Sequence, residues 1–179
     1  MHETAADLTE LQRLLDDSYA RMGAHMRAIH TPERRVPAAD VAQILRGVRV
    51  LNLATVTAAC APRVGPVDGL FYRGRFWFGS GQDSVRFRHL RRRPQVSASH
   101  TVGETFAVIV HGAAREVEVR TVDDGRFRDY LVEVYPDWDE WYPPDANPAY
   151  ARIEAERMYA YAFEPSVLQQ LKEFGPSAI

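Results

Sequence analysis

Cysteine is nearly absent. Cys60 is the only one in 179 residues, so no disulfide can form within the chain, which suits a reducing compartment. No apolar run is long enough to span a membrane, and the opening MHETAADLTELQ lacks the basic and then apolar order of an export signal. These absences lead us to expect a cytoplasmic protein without membrane contact. The net charge is only −2, so the chain has no general attraction for polyanions, and no nucleic-acid partner is expected. Nucleotide-binding fingerprints are missing too. Gly79 and Gly81 fail the G-x-G-x-x-G spacing, no βαβ unit surrounds them, and there is no Walker A loop. The six histidines are scattered, none pairs at i, i+4 beside a glutamate, and no second cysteine exists, so no metal site is expected. A nucleophile needs an activating base, and no Ser-His or Cys-His constellation is visible, so we assign no catalytic residue.

What is present is organised around residues 75–94, RFWFGSGQDSVRFRHLRRRP. An alternating apolar strand ends in Gly79-Ser80-Gly81. The chain turns at Asp83-Ser84 and enters a segment carrying Arg86, Arg88, Arg91, Arg92 and Arg93. A strand that stops at small residues and feeds a basic helix start can hold a phosphate. Backbone N–H groups and the positive end of the helix dipole face the anion, and Ser84 and Arg86 add donors. The competing reading is a solvated amphipathic helix that buries Val85, Phe87 and Leu90.

Around this stretch the periodicity describes one domain, large enough to bury a core without staples. Leu8, Leu11, Leu15, Tyr19, Met22, Met26 and Ile29 form one helical stripe, capped by Thr4 or Asp7. Such a helix lies across a partner subunit or covers one mouth of its own barrel. Residues 30–35 read as a linker. A second helix starts near Pro37, presents Val41, Ile44, Leu45 and Val48, and stops at Gly47. From Val50 the period becomes 2, giving expected strands over 50–57, 62–72, 75–80, 95–100, 105–120 and 157–163. Gly65-Pro66 inside the second strand marks a bulge, an edge, or close approach by a non-protein group. Arg73-Gly74 is a tight hairpin turn and Gly112 a bend. Asp123-Asp124 opens a helix through Tyr135, with Phe127, Leu131 and Val134 on one face. Residues 136–148, PDWDEWYPPDANP, read as a packed aromatic loop. The fold class expected is mainly β with flanking helices, an antiparallel barrel.

The order of elements and three sequence pieces resemble the pyridoxamine 5′-phosphate oxidase-like, flavin-binding split β-barrel superfamily. The pieces are RVLNLATVT paired with APRVGPV, the hairpin LFYRGRFWFGS, and SVRFRHLRRRPQVSAS. The last matches a family pattern as Ser84-Val85-Arg86, Arg88-His89-Leu90 and Pro94-Gln95-Val96-Ser97. The resemblance implies a homodimer with flavin mononucleotide (FMN), or the deazaflavin F420, between two barrels. By analogy Ser84, Val85 and Arg86 would hold the cofactor phosphate and Arg63 would assist. The backbone of Val64, Gly65, Pro66 and Val67 would lie along the ring, and Ser80 would close the pocket. The resemblance covers roughly Val41 to Val119, and we expect an N-terminal helical extension over residues 1–35 and the split-barrel flavin-binding domain over 36–179.

Three departures argue against pyridoxamine phosphate as the substrate. Asp68 stands where the vitamin B6 oxidases carry a phosphate-binding Lys, Ala107 replaces a Gln, and the chain ends LKEFGPSAI without the Arg-Leu-x-Pro type ending. The function expected is a flavin-dependent oxidoreductase passing hydride between a nicotinamide or small-molecule substrate and the flavin. An F420-dependent reductase, and a non-catalytic flavin or haem carrier drawing on His100 or His111, are the alternatives. Substrate choice would fall to the helix before Tyr135 and the loop of Trp138 and Trp141.

Overall fold

β-branched and aromatic residues at period 2 drive most of the six strands. In the computed structural model, which describes residues 2–143, 145–146 and 148–174, these strands close into an antiparallel barrel. The strands are β1 (Val48–Val56), β2 (Pro62–Tyr72), β3 (Arg75–Ser80), β4 (Gln95–Val102), β5 (Phe106–Val117) and β6 (Ala149–Ala162). Around the barrel they run β1-β2-β3-β6-β5-β4. This is the antiparallel split-barrel class with flanking helices that the sequence leads one to expect. Pro144 and Asn147 of the aromatic loop and residues 175–179 of the C-terminal ending lie outside the described residues. Among the described residues no helix is long and apolar enough to cross a membrane.

Helix α1 (Ala5–Ala20) starts at a reciprocal cap: Thr4 Oγ1 accepts from Asp7 N and the Asp7 carboxylate accepts from Thr4 N. Its apolar stripe does not continue as one helix. The chain breaks at Met22-Gly23, and α2 (Ala24–Ile29) leaves Met26 and Ile29 exposed. Helix α1 packs on its own barrel, sharing one core with it through Leu11, Leu15, Tyr19 and Met22. β3 pairs with β6 only at residues 149–152, so the far length of β6 has no strand on that side. Hydroxyls of α1 serve there instead. Ser18 Oγ accepts from Met158 N at 3.0 Å, and Tyr19 Oη bonds both backbone groups of Ala160. The expected linker 30–35 and the residue after it contribute as well. Val36 N donates to Ala160 O, and His30 is buried with its ring edge-on to Tyr161.

Helix α3 (Ala38–Ile44) follows Pro37, and Val48, expected on its face, instead opens β1. The Gly65-Pro66 pair makes no bulge. The β1–β2 register runs unbroken from Val48↔Leu70 to Val56↔Pro62. Pro66 interrupts nothing because its carbonyl, and with it its missing N–H, faces away from β1 toward Arg86. Arg73 and Gly74 take φ of 53° and 73°, the left-handed pair that a two-residue hairpin needs. The bend expected at Gly112 is a bulge, with the β5–β6 register shifting between His111 and Gly112.

A second core forms outside the barrel, where Leu70, Tyr72 and Trp77 meet Phe127 and Leu131 of α5 (Arg126–Val134) and Trp138 of α6 (Trp138–Trp141). Trp77 stacks on Phe127 at 4.0 Å between centroids. Helix α5 begins at Arg126 and not at Asp123, because Asp123 and Asp124 sit in left-handed conformation in a 3-10 turn over Val122–Gly125. Asp123 accepts from Tyr72 Oη at 2.6 Å and pairs with Arg73, which also holds Asp7 at 2.6 Å. β6 begins at Ala149, well before the expected 157. A terminal helix α7 (Pro165–Phe174), not expected from the sequence pattern, packs on α3 through the Lys172–Asp40 ion pair.

Candidate functional site

Helix α4 (Val85–Arg92) is built as the sequence implies. Ser84 is its N-cap and accepts from Phe87 N at 3.2 Å, which leaves the hydroxyl proton able to donate outward. Phe87 and Leu90 are buried, but Val85 is 56% exposed, so the purely amphipathic reading fails at that residue. Arg86 lies across β2, with Nη2 3.0 Å from Pro66 O. Burial lowers the pKa of its guanidinium from the usual arginine value, a sign that water has been partly removed from it. A half-buried guanidinium holding one carbonyl retains further donors for an oxyanion.

Three other arginines of the run have structural partners. Arg88 donates to Asp83 O and Arg93 to Ala58 O. Arg91 forms a two-pronged pair with Glu116 at 2.9 and 2.6 Å.

Gly65 adjoins Arg86. A Cβ built on it would meet Arg86 Nη2 at an ordinary 3.5 Å, and its φ is not positive. Neither backbone conformation nor packing among the described residues requires glycine here. That contrasts with Gly69, where a Cβ would lie 2.3 Å from Leu51, and Gly79, where it would lie 2.8 Å from Tyr150.

The structure thus gathers Ser84, Arg86, Gly65 and Pro66. Val64 is 74% exposed on the outward face of β2, and Val67 turns into the core, leaving only its backbone available. Arg63 shares Gly65's face by period 2, and its Nη1 donates to Pro62 O at 3.1 Å. Ser80 ends β3 opposite Ala149 and lines a neighbouring cavity of about 200 Å³ with Asp68, Tyr135, Trp141 and Tyr150. Asp68 and the Trp141 loop were visible in the sequence as separate features. Tyr150 was missed because β6 was expected to start later.

In that cavity Tyr135 Oη donates to Asp68 Oδ2 at 3.4 Å, and the Tyr135 and Trp141 rings lie 5.9 Å apart. Burial first, and then the Asp68 carboxylate, push the Tyr135 phenol well above its usual value. Burial also raises Tyr150 to about 12. Both phenols are therefore neutral donors at physiological pH.

His100 is buried, with Nδ1 3.1 Å from Val50 O and no hydrogen-bond partner for Nε2 among the described residues. His111 Nδ1 meets Ser97 Oγ at 2.8 Å. Among the described residues no three His, Cys, Asp or Glu side chains gather where a metal ion could sit.

No protein-family model matches this sequence, and no curated protein does. Solved structures do resemble it. A conserved hypothetical protein from Mycobacterium tuberculosis is 21% identical with a TM-score of 0.57, over 74% of this chain and 88% of that one. An FAD-binding protein from Mesorhizobium loti is 21% identical with a TM-score of 0.55, over 72% and 96%. A heme binding protein from Mycobacterium smegmatis is 17% identical with a TM-score of 0.56, over 73% and 56%. At these identities the likeness shows the shared barrel fold.

Proposed function

We propose that the chain is a flavin-binding split-barrel protein acting as an oxidoreductase on a small molecule. FMN is the favoured cofactor, with its phosphate on Ser84 and Arg86. The observation that carries this reading is the half-buried Arg86 guanidinium laid against Gly65-Pro66, where glycine has no internal reason to be. The FAD-binding neighbour supports a flavin over other anions. When bound, a flavin supplies hydride acceptance and donation. The chain's own part is to fix the phosphate with Arg86 and the Ser84 hydroxyl, to let the ring approach the β2 backbone at Gly65, and to exclude water.

The proposal includes a homodimer with the cofactor between barrels. Val50 at 56% and Val64 at 74% exposure stand on the outward face of the β1–β2 ladder, where a second copy would cover them. F420 is the alternative cofactor, since it carries a phosphate on the same side of its ring system. A haem carrier is a second reading, favoured by the unpartnered Nε2 of His100 and by the haem-binding neighbour.

The deciding experiment is an absorption spectrum of purified protein before and after incubation with FMN, F420 or haem, followed by NAD(P)H turnover with an artificial acceptor. Flavin bands retained through dialysis support the reading. A Soret band, or no uptake of either flavin, overturns it.

A further inference from the structure

The cavity beside the phosphate site has one carboxylate and several rings but no counter-charge. Asp68 has no cationic partner among the described residues, and none of the cavity's described lining residues is basic. Its one hydrogen bond comes from the neutral phenol of Tyr135. Trp141 is 58% exposed, with its ring next to Tyr135. The inner wall is already in use. Trp138 donates Nε1 to Tyr150 Oη at 3.2 Å, and Arg120 lies over its ring at 5.3 Å, held by the carbonyls of Tyr142 and Pro143.

An unpaired carboxylate edged by open aromatic faces repels anions. It attracts weakly hydrated cations, which gain from the ring quadrupole as well as from the charge. A space of about 200 Å³ admits a compact head group and not an extended ligand. The cavity is tied to the start of α4. Asp68 follows Pro66, whose carbonyl holds Arg86, by two residues, roughly 7 Å along the strand. Gly81, which lines the cavity, accepts from Ser84 N at 3.0 Å.

We infer that the Asp68–Trp141 cavity binds a small organic cation of the alkylated ammonium class. Its role as substrate beside a flavin rests on the function proposed above, whereas the cation site does not. Asp68, the residue that disfavours a phosphorylated substrate, becomes the selector for a positively charged one.

The test uses choline and its uncharged isostere 3,3-dimethyl-1-butanol, titrated against tryptophan emission at constant ionic strength, with FMN-loaded and flavin-free protein. A saturable response to choline is expected, with the alcohol at least tenfold weaker. Asp68→Asn and Trp141→Ala should each weaken choline at least tenfold while leaving the melting temperature unchanged, since both side chains are exposed. Equal response to the two compounds, wild-type affinity in Asp68→Asn, or no saturable response to choline overturns the inference. If the protein takes up no flavin yet still discriminates choline through Asp68, the cation site stands and the flavin reading falls.

Discussion

Tyr19 Oη donates to the carbonyl of Ala160 at 2.6 Å and accepts from the N–H of the same residue at 3.1 Å, doing for β6 what a neighbouring strand would do. In Tyr19→Phe the Ala160 carbonyl keeps Val36 N as a donor, but the buried N–H loses its acceptor. The expected cost is about 1–3 kcal/mol. It should be read as a lower urea midpoint with an unchanged slope. A midpoint matching the parent would mean that water or a shifted backbone replaces the hydroxyl.

With the FMN phosphate on Ser84 and Arg86 as proposed, Arg86→Ala would remove a charge-assisted contact to it while deleting one exposed bond to Pro66 O. A contact of about 1.5–3 kcal/mol corresponds to roughly 10- to 100-fold weaker FMN binding, measured by quenching of flavin emission. Thermal stability should change little. Parental FMN affinity in this variant would remove Arg86 from the site.

Gly112 and Gly81 make a matched pair. A Cβ at Gly112 would lie 2.1 Å from Glu154 O, within the bulge that lets β5 turn along β6, whereas one at Gly81 meets nothing within 4 Å. Gly112→Ala should destabilise by roughly 1–3 kcal/mol or more, and Gly81→Ala by a few tenths at most. Comparable denaturation midpoints for the two would contradict the close approach at the bulge.

Acid should destabilise the fold before carboxylates titrate. Burial first, and then Arg35 and Arg49 respectively, lower the pKa of His30 and His100 below the ordinary histidine value. The unfolded chain therefore binds protons at these positions from about pH 6.5 downward while the folded chain resists them. Their contribution is complete above about pH 6.5 and is lost as the pH falls through the depressed folded values. Urea midpoints at pH 7.5 and 5 should drop accordingly, and His100→Gln should flatten the slope. A pH-independent midpoint over that interval would show that neither ring is shielded as described.

Local chemistry made much of the barrel legible. Arg73-Gly74, the alternation of β3 and the glycine at the β5 bulge each carry their structure in a few neighbouring residues. The start of β6 does not. AYARIEAE favours a helix by composition, and it is a strand because β3 and β5 flank it on both sides. The break between α1 and α2 was hidden because the apolar spacing continues through Gly23 while the backbone does not. Ser84 and Arg86 could be picked out because strand, small residues and basic helix follow one another directly. The adjoining cavity could not, because Asp68, Tyr135, Trp141 and Tyr150 come from four separate segments that only the closed sheet and the outer helices bring together.

Past the reach of β3, the exposed margin of β6 is sealed by two side-chain hydroxyls and the short stretch at Arg35-Val36, not by another strand. A chain trimmed of its first helix would bare that row of amides and carbonyls to any extended peptide, a twin molecule included. Its characteristic failure would then be open-ended, strand-upon-strand stacking into insoluble assemblies, so α1 guards solubility as well as completing the fold.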